Sequence, residues 1–201
     1  MKNKWFTRVR NRGPKWLLPI LLLAAAVRYL RRMLTPIKWR LMGITVGKHG
    51  HLGPGLRSSD PSKVVIHDRV VIGERVRFAS ETCIGRLDIQ EGVEVGRWSM
   101  LDHSGDLTLE PSVLISEYVT IYTHDHGYDP RSQPSASPLV IKEGSWIGAH
   151  AIILPSVSVI GAGAIIGAGA VVCEDVADGR VYVGPRGRQF KRKDLAADKE
   201  G

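Results

Sequence analysis

The chain has 201 residues, 43% of them hydrophobic and 24% charged, with a formal net charge of +8 at pH 7. That is room for one domain and an appendage. Its two cysteines, Cys83 and Cys173, supply no disulfide framework and suit a reducing compartment.

The charge is uneven. Residues 1–59 carry thirteen Lys or Arg and no acid, whereas the rest carries fifteen basic and twenty acidic residues, a balance of −5. No nucleic-acid motif accompanies the basic segment, which argues against a nucleic-acid partner. Residues 1–42 read as a basic, apolar helical appendage. Lys2 to Lys15 is cationic with Trp5 and Phe6 interspersed, Trp16 to Val27 is strongly apolar, and Arg28 to Arg40 is cationic again. The apolar run of about a dozen residues is short of the ~20 that a spanning helix needs, and Pro19 marks an early turn or kink. Cationic flanks edged with aromatic residues suit an interfacial anchor on anionic lipid. A helix packed on protein, a true span, and a signal segment cleaved near Ala24-Ala25-Ala26 are the alternatives.

From residue 43 to 178 a branched apolar residue recurs every sixth position, often followed by a small one. The sets are Ile66, Ile72, Phe78, Ile84; Ile89, Val95, Leu101; Leu109, Ile115, Ile121; Ile141, Ile147, Ile153; and Ile160, Ile166, Val172. Six matches neither a 3.6-residue helix nor plain alternation. It predicts an all-β parallel solenoid of short strands and tight turns, three units to a triangular coil. Gly148, Gly161, Gly167, Ala151, Ala164 and Ala170 are expected to ease the corners. Ile44 to Leu52 reads as a first, irregular turn and Gly53 to Lys63 as a loop. The period slips near Leu87-Asp88 and breaks at a proline-rich exposed loop, 127–138. Residues 179–201 form an extended, basic C-terminal tail.

A loop that leaves a rigid solenoid is a natural place for a site. The strand entering this one ends His124-Asp125-His126, and alternation puts both imidazoles on one side. They are either solvated loop-edge residues or general-base candidates that titrate near neutral pH.

With these residues in hand, the chain resembles the hexapeptide-repeat acyltransferases with left-handed parallel β-helices, above all bacterial sugar and polysaccharide O-acetyltransferases of the maltose, galactoside and colanic-acid type. The likeness covers about residues 64–187 and is strongest over the segment from Pro138 to Pro155, which contains Trp146-Ile147-Gly148. It implies a homotrimer using acetyl-CoA as a co-substrate, with no permanently bound cofactor or metal. It implies His126 as catalytic base, with His124 the substitute. It places Trp146 and Ala149 along the pantetheine, and makes Arg180, Arg186, Arg188 and Lys191 candidates for the CoA phosphates. Asp102 and His103 fall near the family's acceptor contacts.

Three departures stand out. Cys173-Glu174 replaces a Thr-Lys pair, Gly96-Arg97 lies where an acceptor-binding Asn would, and the basic anchor replaces the usual N-terminal domain. The last suggests a lipid-linked or cell-envelope glycan acceptor at the cytoplasmic face of the inner membrane, with the protein peripheral or monotopic. The rival readings are an N-acetyltransferase of amino sugars, a gamma-class carbonic anhydrase using His103, His124, His126 and His150, and a non-catalytic membrane-attached scaffold.

Overall fold

The structure, a computed structural model, describes residues 17–184. Helix α1 spans Leu17–Leu41. It ends where Gly43 takes φ +103°, a conformation glycine enters without a Cβ clash. Its last turn is fastened to the body. Trp39 is buried there, and the Arg40 guanidinium donates to Val46 O (2.7 Å) and Gly47 O (3.0 Å). Its first half projects: Leu18, Leu21, Leu22 and Leu23 are each more than half exposed. Among the described residues, no helix is long and apolar enough to cross a membrane.

The rest is a parallel β-solenoid of about seven turns. The first coil has β1 (Thr45–Val46), β2 (His51–Leu52) and β3 (Arg57–Ser58). The second has β4 (Val64–Ile66), β5 (Val71–Ile72) and β6 (Arg77–Ala79), and the third β7 (Leu87–Ile89), β8 (Glu94–Val95) and β9 (Met100–Asp102). The fourth, β10 (Leu107–Leu109), β11 (Leu114–Ile115) and β12 (Thr120–Ile121), opens into an antiparallel pair, β13 (His124–Asp125) with β14 (Ser135–Ala136). Then follow β15 (Leu139–Ile141), β16 (Trp146–Ile147) and β17 (Ile152–Ile153). The sixth coil has β18 (Val159–Ile160), β19 (Ile165–Ile166) and β20 (Val171–Val172), and β21 (Val181–Tyr182) closes the stack.

Each coil gives one strand to each of three sheets, so the sixfold residues stack in register. One column runs Ile66, Ile89, Leu109, Ile141, Ile160. A second runs Leu52, Ile72, Val95, Ile115, Ile147, Ile166. The third runs Phe78, Leu101, Ile121, Ile153, Val172. Nearly all are solvent-free, and burying each such side chain contributes about 1.5–3 kcal/mol.

Four details differ from the sequence reading. Ile84 fits the period but is 77% exposed. The chain leaves the coil after Ala79 and re-enters at Leu87, so residues 80–86 form a loop, a larger break than a slip. The stretch expected as a loop before Lys63 contains β3 and a 3-10 turn, Pro61–Lys63. Beyond Val176, β21 pairs with β19, so the solenoid continues into residues assigned to the tail.

Finally, the small residues act by closeness of stacking rather than by turning corners. A Cβ on Gly148 would lie 2.6 Å from Ala168 N in the next coil. Ala151, Ala164 and Ala170 are fully buried. The left-handed corners are taken by other glycines, such as Gly144 and Gly169, and by residues with side chains, among them Arg75, Trp98, Tyr118 and His150.

These placements separate Phe78 from Ile84. Phe78→Ala should cost about 3–5 kcal/mol in urea unfolding, whereas Ile84→Ala should stay within about 0.5 kcal/mol of wild type. Equal costs would contradict this core.

Candidate active site

Two corners of the prism are closed by tight turns that repeat in every coil. Loops therefore leave at the third, between the sheet of β6, β9 and β12 and the sheet of β7, β10 and β15. Residues 80–86, 103–106 and 122–138 meet there.

Asp102, 1% exposed, lies at its centre. Its Oδ1 accepts from Ser104 Oγ at 2.6 Å and Ser104 N at 3.2 Å. Its Oδ2 accepts from Thr123 N (2.7 Å), Thr123 Oγ1 (3.0 Å) and His124 Nδ1 (2.7 Å). Burial pushes this carboxyl upward, but the hydrogen bonds from Ser104, Thr123 and His124 outweigh it and hold it below the usual aspartate value. Ser104 Oγ also accepts from Glu81 N at 2.9 Å, which ties the 80–86 loop to the same carboxylate.

The two histidines are oriented alike. His124, 11% exposed, gives its Nδ1 proton to Asp102 and turns Nε2 outward, 3.6 Å from Glu81 Oε2. His126, 28% exposed, has Nδ1 2.9 Å from Ser132 O and Nε2 3.1 Å from Glu81 Oε2. A carbonyl can only accept, so Nδ1 carries a proton. A carboxylate at Nε2 then favours a second one. The Ser132 carbonyl, followed by the Glu81 carboxylate, raises the His126 pKa above its ordinary value. The rings meet edge to face at 5.4 Å.

Glu81, 55% exposed, thus receives both Nε2 atoms. Such a cluster can relay a proton. Its ligand atoms also lie within 4.8 Å of one another, close enough to hold a divalent cation.

Other candidates lie elsewhere. His103 is fully buried, with Nδ1 3.2 Å from Gly85 O, and has no face open to an acceptor. Asp102, at the centre of the site, is likewise buried and contacts His124 instead of solvent. Trp146 stands half-exposed on the sheet of β5, β11 and β16, its Nε1 donating to Ser116 Oγ at 3.0 Å. That sheet is opposite the histidine corner. Ala149 follows Trp146 into a turn, and Arg180 is exposed in the turn before β21. Arg186, Arg188 and Lys191 lie outside the described residues. His150 stacks on Tyr118 at 4.8 Å, so His103, His124, His126 and His150 do not converge.

Glu81, Ser104, Thr123 and Ser132 were not singled out from sequence. The overlooked signal was the interval from Phe78 to Ile89, which Ile84 disguised.

No family model matches the chain. Over 65 residues it is 45% identical to a 2,3,4,5-tetrahydropyridine-2,6-dicarboxylate N-acetyltransferase of Staphylococcus aureus; this is 32% of the chain and 27% of that protein. The match therefore spans about a quarter of the length of the curated relatives. AntD, an N-acyltransferase from Bacillus cereus solved as a variant with dTDP-4-amino-4,6-dideoxyglucose and coenzyme A, superimposes with a TM-score of 0.65 at 22% identity. The superposition covers 82% of this chain and 94% of that one. A hexapeptide-repeat acetyltransferase of Vibrio cholerae gives 0.52 at 22% identity over 76% of each chain. At such identities the likeness is one of fold.

The site's electrostatics can be read by NMR. His126 should titrate above ~6.5, so its contribution to stability is present below that value and lost as pH rises through the folded pKa. Glu81→Gln should lower this pKa. Asp102, being depressed, contributes stability above ~3.9 that is lost as pH falls through its folded value. A His126 titration unmoved by Glu81→Gln would contradict the contact.

Proposed function

We propose that this chain is a CoA-dependent acyltransferase of the left-handed β-helix type, and that it moves an acetyl group from acetyl-CoA to a sugar hydroxyl of a cell-envelope glycan or its lipid-linked precursor. The observation that carries this reading is the convergence of two imidazole Nε2 atoms, each fixed by a hydrogen bond at Nδ1, on an open corner of the solenoid. With the ring neutral, Nε2 of His126 takes the hydroxyl proton as the oxygen attacks the thioester carbon. The tetrahedral oxyanion collapses, the C–S bond breaks, and the His126 proton passes to the departing thiolate. The substrate hydroxyl takes the place that Glu81 Oε2 holds in the free protein. His124, oriented by Asp102, forms the wall beside it and is the substitute base. An aligned pair of substrates accounts for a large share of such a rate.

AntD and the curated partial match are described as N-acyltransferases, which supports an amine acceptor as a second reading at the same cleft.

Trp146 and the histidine corner lie on opposite sides of one chain, so a cleft using both needs a second copy. The outer face around Trp146 carries Val71, Leu114, Ile165 and Val181, each more than a third exposed, as an oligomer contact would. This supports a homotrimer with pantetheine running past Trp146 and Ala149. Arg180, with Arg186, Arg188 and Lys191, is the candidate partner of the CoA phosphates. The projecting leucines of α1, flanked by basic sequence, support attachment to the cytoplasmic face of the inner membrane.

His126→Ala should lower kcat at least ~100-fold with the fold retained, and wild-type turnover should survive dialysis against a chelator. A large loss only in His124→Ala would transfer the role to that residue, and loss on chelation would favour a metal-assisted reaction. For the anchor, a chain lacking residues 1–35 keeps Trp39 and Arg40. It should remain in the supernatant when sedimented with anionic vesicles that pull down the full chain. Cosedimentation of the shortened chain would refute the anchor.

A further inference from the structure

The outer face of the sheet that leads into the histidine corner carries a second constellation. Arg57 on β3 and Arg77 on β6 are register partners and both point outward. Arg75, at the adjoining left-handed corner (φ 54°), lays its guanidinium over the Trp98 ring at 4.5 Å. Gly55 completes the wall: a Cβ there would meet Arg75 Cγ at 2.8 Å. These five residues line a half-open cavity of about 480 Å³.

Among the described residues, none of the three arginines forms an ion pair, although Arg69 and Arg97 nearby are paired with Glu91 and Glu117. Three like charges around one concavity repel one another unless an anion joins them. Guanidinium forks match the oxygens of a phosphoryl group two at a time. A carboxylate ligand would satisfy one fork, whereas three forks suit a group with several anionic oxygens. The indole adds a flat apolar surface beside them.

The position is as informative as the chemistry. Arg77 and Glu81 are four positions apart, at most about 14 Å of extended chain. The cavity and the imidazoles therefore lie at two ends of one face.

We propose that Arg57, Arg75 and Arg77, with Trp98, bind the phosphoryl group through which the acceptor sugar is joined to its carrier, leaving the sugar to reach His126. The proposal rests on the acyltransferase reading. It narrows the acceptor to a sugar phosphodiester or diphosphate, whose carrier is either a nucleoside or an isoprenoid lipid.

The test is direct binding to the full chain by calorimetry and tryptophan fluorescence, in detergent for the soluble probes and with detergent removed for the vesicles. The probes are inorganic pyrophosphate, a nucleoside diphosphate, and phosphatidylcholine vesicles with or without a long-chain isoprenyl phosphate. Pyrophosphate should bind. The Arg57→Ala/Arg77→Ala variant should bind it at least tenfold more weakly, and Arg77→Lys, which keeps the charge and loses the fork, should fall between. The fluorescence response should disappear in Trp98→Phe. Nucleoside diphosphate binding tighter than pyrophosphate, through the same arginines, would identify a nucleotide carrier. Pyrophosphate binding accompanied by arginine-dependent binding to vesicles with isoprenyl phosphate, and by none to vesicles without it, would identify a lipid one.

Pyrophosphate binding that is absent, or unchanged in the double variant, overturns the proposal. Acetyl-CoA binding measured on the same samples is an independent readout: its loss in wild type with pyrophosphate binding retained would sink the acyltransferase reading and leave the phosphoryl site standing.

Discussion

Everything in this molecule depends on how closely one coil can lie on the next. The backbone ladders of three parallel sheets fix the spacing between coils at about 4.8 Å, and side chains must adapt to that interval. Inward positions take branched apolar residues, which fill each layer and touch their counterparts above and below. Positions such as Gly148, where the next backbone passes, tolerate no side chain. Cohesion is thus nearest-neighbour along the stack, and a residue's surroundings are set chiefly by its counterparts one coil away.

That rule decides where chemistry can be placed. Two corners turn so tightly that they offer only single residues in left-handed conformation, leaving the third as the outlet for longer segments. Three successive coils use it, and their loops would be independent but for Asp102. One buried carboxylate receives hydrogen bonds from Ser104, Thr123 and His124, while Ser104 accepts from Glu81. The histidines therefore sit on a framework fixed from below. Desolvating a charge is costly unless its oxygens are satisfied, and here both are.

How much of this was legible in the sequence follows from the same spacing. The period of six identified the solenoid because stacking imposes a residue-type requirement on every sixth position. The bearing of His124 and His126 on one side followed from alternation. The period could not reveal Ile84 as a loop residue, since an isoleucine at the right interval looks identical whether buried or exposed. With that break hidden, the loop holding Glu81 was not seen opposite the histidines. Asp102 reads from sequence as an acceptor contact: Ser104, two residues on, is a local partner, but Thr123 and His124 approach from the next coil and leave no local pattern. Corner residues were equally opaque. Arg75, Trp98, Tyr118 and His150 take positive φ without being glycine, and they stack on one another along one edge.

A parallel stack of identical layers has no natural end. Its first strand presents free carbonyls and an open apolar cross-section to which any similar coil could add, the route by which exposed sheet edges become fibres. Here the last turn of α1 stops that growth. Trp39 covers the cross-section, and Arg40 occupies the carbonyls of Val46 and Gly47. Whatever else the helix does, it makes the solenoid finite, so loss of this one turn would convert a discrete particle into a seed for end-to-end polymers.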